Sequence, residues 1–168
     1  MSTEALHQRF LAAYDEHADA IFRFCYAQAG DREAAADATQ EAFVRVWKYL
    51  AGGKTIEQMK PFLYRTARNV LIDRHRRPRA QSLQTLQDTG FDPADDRAPD
   101  PSLSAEVARA LRLAGQLEPK YREAVLLRYG QDLSPGEIAD VIGESENTVS
   151  VRIHRGIQKL RGLMGLKK

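Results

Sequence analysis

Cysteine is almost missing from this chain: Cys25 is the only one in 168 residues. No internal disulfide can form, and no zinc cluster built on cysteines is possible. The four histidines, His7, His17, His75 and His154, lie far apart and lack acidic ligands at metal spacing. No metal and no cofactor is therefore expected. Nowhere do about 18 apolar residues run unbroken, so no membrane insertion is expected. The opening residues MSTEALHQRF carry charge and lack an apolar run, which argues against a secretory signal and for a cytoplasmic protein. No phosphate-cradling glycine loop, HExxH or GxSxG is present, so no enzyme is predicted. Period-2 alternation and Asn-Gly or Asp-Gly hairpin signals are absent too, which leaves little room for β structure.

What is present is charge, unevenly placed. Charged residues make up 29% of the chain, yet the formal net charge is only +2. A uniformly basic nucleic-acid binder is excluded, but local basic faces are not. Between Lys60 and Arg79 stand Lys60, Arg65, Arg68, Arg74, Arg76, Arg77 and Arg79, against the single acid Asp73. From Asn147 onward there are six Lys/Arg and no acid. The intervening stretch 78–101 has the opposite bias: four of the seven prolines, with Asp88, Asp92, Asp95, Asp96 and Asp100. Such a composition buries too little surface to order itself, so it reads as a flexible acidic linker. The expected organisation is all-α: a helical domain at 1–78, a linker at 79–101 and a second helical domain at 102–168.

The helices follow from apolar spacing and punctuation. Leu6, Phe10, Tyr14, Ile21, Phe22 and Cys25 predict a helix over 4–29, stopped by Gly30-Asp31. Phe43, Val44, Val46, Trp47 and Leu50 predict one over 32–50, ended by Ala51-Gly52-Gly53. A third begins at Pro61 and runs to about Arg77, with Phe62, Leu63, Ala67, Val70 and Leu71 inward. Four more are expected at 102–116, 119–129, 135–142 and 146–163. Ser134, Pro135 and Glu137 form a capping-box signal, Gly143 supplies a left-handed stop, and Ser145 can cap the last helix.

The last two helices read as a helix-turn-helix. Val149, Ile153, Ile157 and Leu160 share one face. The other carries Asn147, Ser150, Val151 and His154, flanked by Arg152, Arg155 and Lys159. Short polar groups toward base edges and long cations toward phosphates are what a major-groove helix needs. On the third helix, Arg65, Arg68 and Arg76 share a face with Asn69 and Asp73 beside them, suited to a phosphate track. Solvated basic surfaces would give the same pattern. On the second helix Asp37, Gln40, Glu41 and Val44 form a mixed stripe that either docks on a partner or complements the helix dipole. Cys25, set among Phe22, Phe24 and Tyr26, reads as a core thiol.

Three segments, DATQEAFVRVW (37–47), PFLYRTARNVLIDRHRR (61–77) and YREAVLLRYGQDLSPGEIADVIGESENTVSVRIHRGIQKLR (121–161), resemble bacterial RNA polymerase sigma factors of the sigma-70 family. The two-domain size resembles the extracytoplasmic-function (ECF) group. The resemblance implies a region 2 domain of three to four helices and a helix-turn-helix region 4 domain. Asp37, Gln40, Glu41, Val44, Arg45 and Trp47 would meet the β′ clamp helices of core polymerase. Loop 51–60 and the third helix would recognise and open the −10 element, with Lys60, Tyr64, Arg65, Arg68, Asn69, Asp73, Arg74, Arg76 and Arg77 near DNA. Phe62 is expected in the core, with Tyr64 left as a base-stacking candidate. The last helix would enter the −35 major groove through Asn147, Thr148, Ser150, Val151, Arg152, His154, Arg155 and Lys159, and region 4 would also touch the β flap. An anti-sigma factor is a further implied partner. A free-standing operator-binding dimer, which gives no reason for the acidic-aromatic stripe of the second helix, and a helical adaptor without DNA, its basic faces merely solvated, are the alternatives.

Overall fold

The computed structural model describes residues 1–76 and 104–166; Arg77 and the expected linker 79–101 lie outside the described residues. The chain divides into two compact units, each with its own core.

The first unit is three helices: α1 (Thr3–Ala29), α2 (Arg32–Ala51) and α3 (Met59–Arg76). Ser2 starts α1 by accepting the Ala5 N–H at 3.2 Å. Gly30 stops it at φ 71°, a conformation that favours a residue without Cβ. Asp31 then caps α2 through the Ala34 N–H at 3.0 Å. Both residues act as their sequence predicts. All three helices pack on one another. Ala35, Ala38 and Ala42 are fully enclosed, and such small side chains let helix axes approach closely. Ile21, Phe24, Val46, Leu63 and Val70 fill the space between, each contributing about 1.5–3 kcal/mol of burial.

Cys25 lies in this core, fully buried as expected. Burial pushes its thiol up from 9.0 to about 11, against the lowering effects of a Thr39 hydrogen bond and the Arg74 charge. Above pH 9 the unfolded chain therefore sheds a proton that the folded one keeps, and the unit loses stability as pH rises from about 9 to about 11. A thiol that titrates at about 11 instead of 9.0 carries about 100-fold less thiolate at pH 8, before any steric shielding. Alkylation of the folded protein at pH 8 is accordingly expected to be at least about 100-fold slower than in denaturant. Equal rates would show the thiol to be open.

The second unit comprises α4 (Ala105–Ala114), α5 (Pro119–Val125), α6 (Pro135–Ile142) and α7 (Glu146–Leu163). The capping box forms as read: Glu137 N–H donates to Ser134 Oγ at 3.1 Å and Ser134 N–H to Glu137 Oε1 at 3.0 Å. Gly143 ends α6 at φ 73°, and Ser145 caps α7 through the Thr148 N–H at 3.1 Å. Leu127, Leu133, Ile138, Val141 and Val149 form the centre.

The expected helix 119–129 needs correction. After Val125 the backbone widens into a π turn over Leu126–Gly130. Leu126 and Leu127 are both buried there, and the Leu133 N–H returns to the Leu127 carbonyl at 3.0 Å. The extra residue in the turn lets both leucines reach the core while Leu133 is drawn in behind them. Asp132, at φ 56°, makes the reversal; aspartate is among the few side chains that accept it.

Candidate nucleic-acid interface

α2 carries the expected polymerase-facing residues, and the structure sorts them onto two sides. Gln40, Val44 and Trp47 line an apolar groove of about 890 Å³ between α1 and α2. Trp47 stacks on His7 at 4.9 Å and meets the Phe10 edge at 5.3 Å. Tyr14 lies edge-on to Phe43 at 4.9 Å. Leu11, Tyr14 and Val44 are exposed along its rim.

The other side is ionic. Arg45 donates to Glu41 Oε1 at 2.8 Å and to Asp73 Oδ2 at 3.1 Å. Hydrogen bonding to Glu41 raises the Arg45 pKa most; partial burial opposes it, and Asp73 adds to the rise. Arg74 reaches Glu41 Oε2 at 3.5 Å and Asp37 Oδ2 at 4.0 Å. Asp37, Glu41 and Arg45 of one expected surface thus form a single lattice with Asp73 and Arg74 of the other. Both Arg74 and Glu41 are half-buried, so the lattice also ties α2 to α3.

On α3, Arg65, Asn69, Asp73 and Arg76 are exposed along one stripe at i, i+4, i+8 and i+11. Lys60 and Arg68 are half-buried beside it. Tyr64 is the exception. It was expected to face DNA, yet it is fully enclosed, edge-on to Phe24 at 5.4 Å. Burial raises its phenol pKa, which the Arg23 charge opposes. A ring held in the core cannot stack on a base. Phe62, expected inside, is instead half-buried and tilted against Tyr49 at 4.8 Å, with the Arg65 guanidinium 5.2 Å over its ring. Lys54 sits 5.0 Å over the other ring of the pair. Tyr49 escaped the sequence reading because nothing in its own helix marks it; its meaning comes from Phe62.

On α7, Asn147, Ser150, Val151, His154 and Arg155 are exposed, opposite the buried Val149, Gly156 and Leu160. Thr148 is half-buried and engaged in the cap, its Oγ1 2.9 Å from Ser145 Oγ. Arg152 is half-buried and pairs with Glu144 at 3.4 Å. Lys159 pairs with Glu118 at 3.4 Å and lies 5.1 Å over the Tyr121 ring. The outer stripe is polar and short at the N-terminal end and cationic along its flanks, as a major-groove reader requires.

Comparison with known proteins decides the family. The model for Sigma-70 region 2 matches residues 13–81, and that for Sigma-70, region 4 matches residues 107–160. The chain is 31% identical over 153 residues to the ECF RNA polymerase sigma factor SigL of Mycobacterium tuberculosis strain H37Rv, covering 89% of this chain and 85% of that protein. The chain belongs to the sigma-70 family. Within it, the relatives place this sigma factor in the ECF group, as the two-domain size had implied. It is 33% identical over 169 residues to the ECF RNA polymerase sigma factor SigE of Mycolicibacterium smegmatis; that match covers 92% of this chain but only 62% of SigE. The sigma factor RpoE of Bartonella quintana, solved in complex with the anti-sigma factor NepR, shares its fold with a TM-score of 0.73 and 20% identity over 99% of this chain and 100% of that one. The protein is thus a promoter-specificity factor of RNA polymerase, with helical region 2 and region 4 units. Among the described residues, no helix of this sigma factor is long and apolar enough to cross a membrane.

Proposed function

We propose that this sigma factor grips core polymerase through α2 and opens the −10 element along α3. In the same reading, α7 reads the −35 element. The observation that carries this division is the pair of exposed, largely polar stripes, Arg65, Asn69, Asp73 and Arg76 on α3 and Asn147, Ser150, Val151, His154 and Arg155 on α7, set in two separate units. The domains run 1–78 and 102–168, with 79–101 as the acidic linker. The β′ clamp helices take the apolar groove and the carboxylates of α2, and the β flap takes part of the second unit. Strand opening without a nucleotide fuel requires tighter binding to the single strand than to the duplex. The stripe beginning at Arg65, beside the Tyr49–Phe62 ring pair, favours an unstacked strand in that way.

The protein acts in the cytoplasm, has no catalytic activity of its own and is held inactive by an anti-sigma factor. The RpoE–NepR complex, of like fold, supports that last partner.

Gel filtration with core polymerase, followed by transcription from a promoter library, tests the whole reading. Co-elution and new start sites are expected; free elution with unaltered start sites would end it. The α3 assignment has its own test. Changing Arg65 and Arg76 together to Ala is expected to lower the log–log salt slope of −10 DNA binding by the holoenzyme by about 1.4–1.8. An unchanged slope would take α3 off the DNA path.

A further inference from the structure

We infer that Arg9, on α1, is a positioning residue that sets the base preference of the segment between α2 and α3. The inference rests on the reading above that this segment meets −10 bases. The segment is held at both ends by the helices it joins. Gly52 N–H donates to the Lys48 carbonyl and Gly53 N–H to the Leu50 carbonyl, each at 3.0 Å. At the far end the Phe62 N–H donates to the Gln58 carbonyl at 3.3 Å.

Between these ends Gly53, Lys54, Thr55, Glu57 and Gln58 are exposed, and Ile56 alone is buried, at 4% exposure. Ile56 is anchored twice. Its side chain enters the core, and its carbonyl accepts from Arg9 Nη2, a residue 47 positions earlier in the chain. A hydrogen bond from a charged guanidinium is stronger than a neutral one, and here it is partly shielded from water. The backbone is thereby pinned at its midpoint.

The pin has a consequence for recognition. It leaves two short exposed arms, Lys54-Thr55 and Glu57-Gln58, each within two residues of a fixed point. An arm that short has few conformations, so its donors and acceptors are presented in set directions before DNA arrives. Preset groups discriminate between bases because a wrong base finds them unable to adjust. Gly53, at φ 83°, leaves the first arm free to swing once the pin is gone.

The test uses holoenzyme assembled with the full chain and a promoter library randomised across the −10 element. Bound sequences are counted for the unaltered chain, Arg9→Ala, Arg9→Lys, a Thr55→Ala/Glu57→Ala double variant and Ile21→Val. A recognised base is worth about fivefold or more in binding, and Arg9→Ala is expected to flatten the enrichment at one or two −10 positions by about that factor. Dependence on the −35 sequence stays as it was. Arg9→Lys keeps one donor for one carbonyl and restores most of the preference. Ile21→Val loosens the same core away from the segment and leaves the profile unaltered, so a merely structural role for Arg9 is told apart. Should Arg9→Ala fail to fold, Arg9→Lys and Ile56→Val carry the test, both shifting the profile mildly at the same positions. A uniform loss of binding with no change in base ratios would overturn the inference. So would an unaltered Arg9→Ala profile alongside a shifted Thr55/Glu57 one. If the Thr55/Glu57 variant also leaves the profile unaltered, the reading of the segment itself fails instead.

Discussion

Gly156→Leu is expected to unfold the second unit while the first keeps its helices. A Cβ built at Gly156 would lie 2.6 Å from Val125 Cγ2 and 3.3 Å from the Tyr121 carbonyl oxygen. The first neighbour is a short, fully packed side chain and the second is backbone, so neither can swing aside. α7 and α5 therefore touch here because position 156 has no side chain. Overpacking costs about 1–3 kcal/mol in well-filled cores, and leucine adds three carbons beyond the clashing one. A unit of this size holds only a few kcal/mol in reserve. The melting transition of the second unit should fall by about 10 °C or more, and dependence of transcription on the −35 sequence should vanish. Gly156→Ala is the graded case: helix propensity returns about 1 kcal/mol, which offsets part of the clash. A Gly156→Leu protein with an unmoved transition would mean that α7 can shift off α5 without cost.

The caps show how much of this fold is local. Ser134, Glu137, Gly143 and Ser145 act within four residues of themselves, so their chemistry is complete in the sequence. The outer face of α7 was legible for the same reason, since helical period alone opposes Asn147 and His154 to Val149 and Leu160. Family membership was legible because three long segments carry it.

Tyr64 is a different case. It stands three residues before Ala67 and seven before Leu71, a core spacing, but an aromatic next to Arg65 also suits a nucleic-acid surface. Packing against Phe24, forty residues away, settles it. The π turn was hidden because it answers the burial of Leu126, Leu127 and Leu133 together, not any one residue's propensity. The links that tie α2 to α3, Arg45 to Asp73 and Arg74 to Glu41 and Asp37, and the grip of Arg9 on Ile56 join residues 28 or more positions apart, beyond the reach of any periodicity.

Trp47→Ala should cost about 30-fold or more in affinity for core polymerase, because it removes the largest ring from the α1–α2 groove. Binding energy in interfaces concentrates on half-buried aromatics that a partner finishes burying. Trp47 fits that description: it is braced by His7 at 4.9 Å and Phe10 at 5.3 Å, so little freedom is lost when a partner covers it. Val44 and Leu11, exposed beside it, supply the surround that excludes water. Asp37→Arg should weaken binding by another route, since it places a cation near Arg74, now 4.0 Å from the Asp37 carboxylate. The two losses should differ in salt dependence, with that of Asp37→Arg changing as salt rises and that of Trp47→Ala holding steady. Fluorescence anisotropy of labelled sigma factor against core enzyme measures both, and retained protection of Cys25 from alkylation confirms that the first unit is still folded. If Trp47→Ala binds core like the unaltered chain with Cys25 still protected, the groove is not where polymerase holds this protein, and the ionic side of α2 must carry the contact alone.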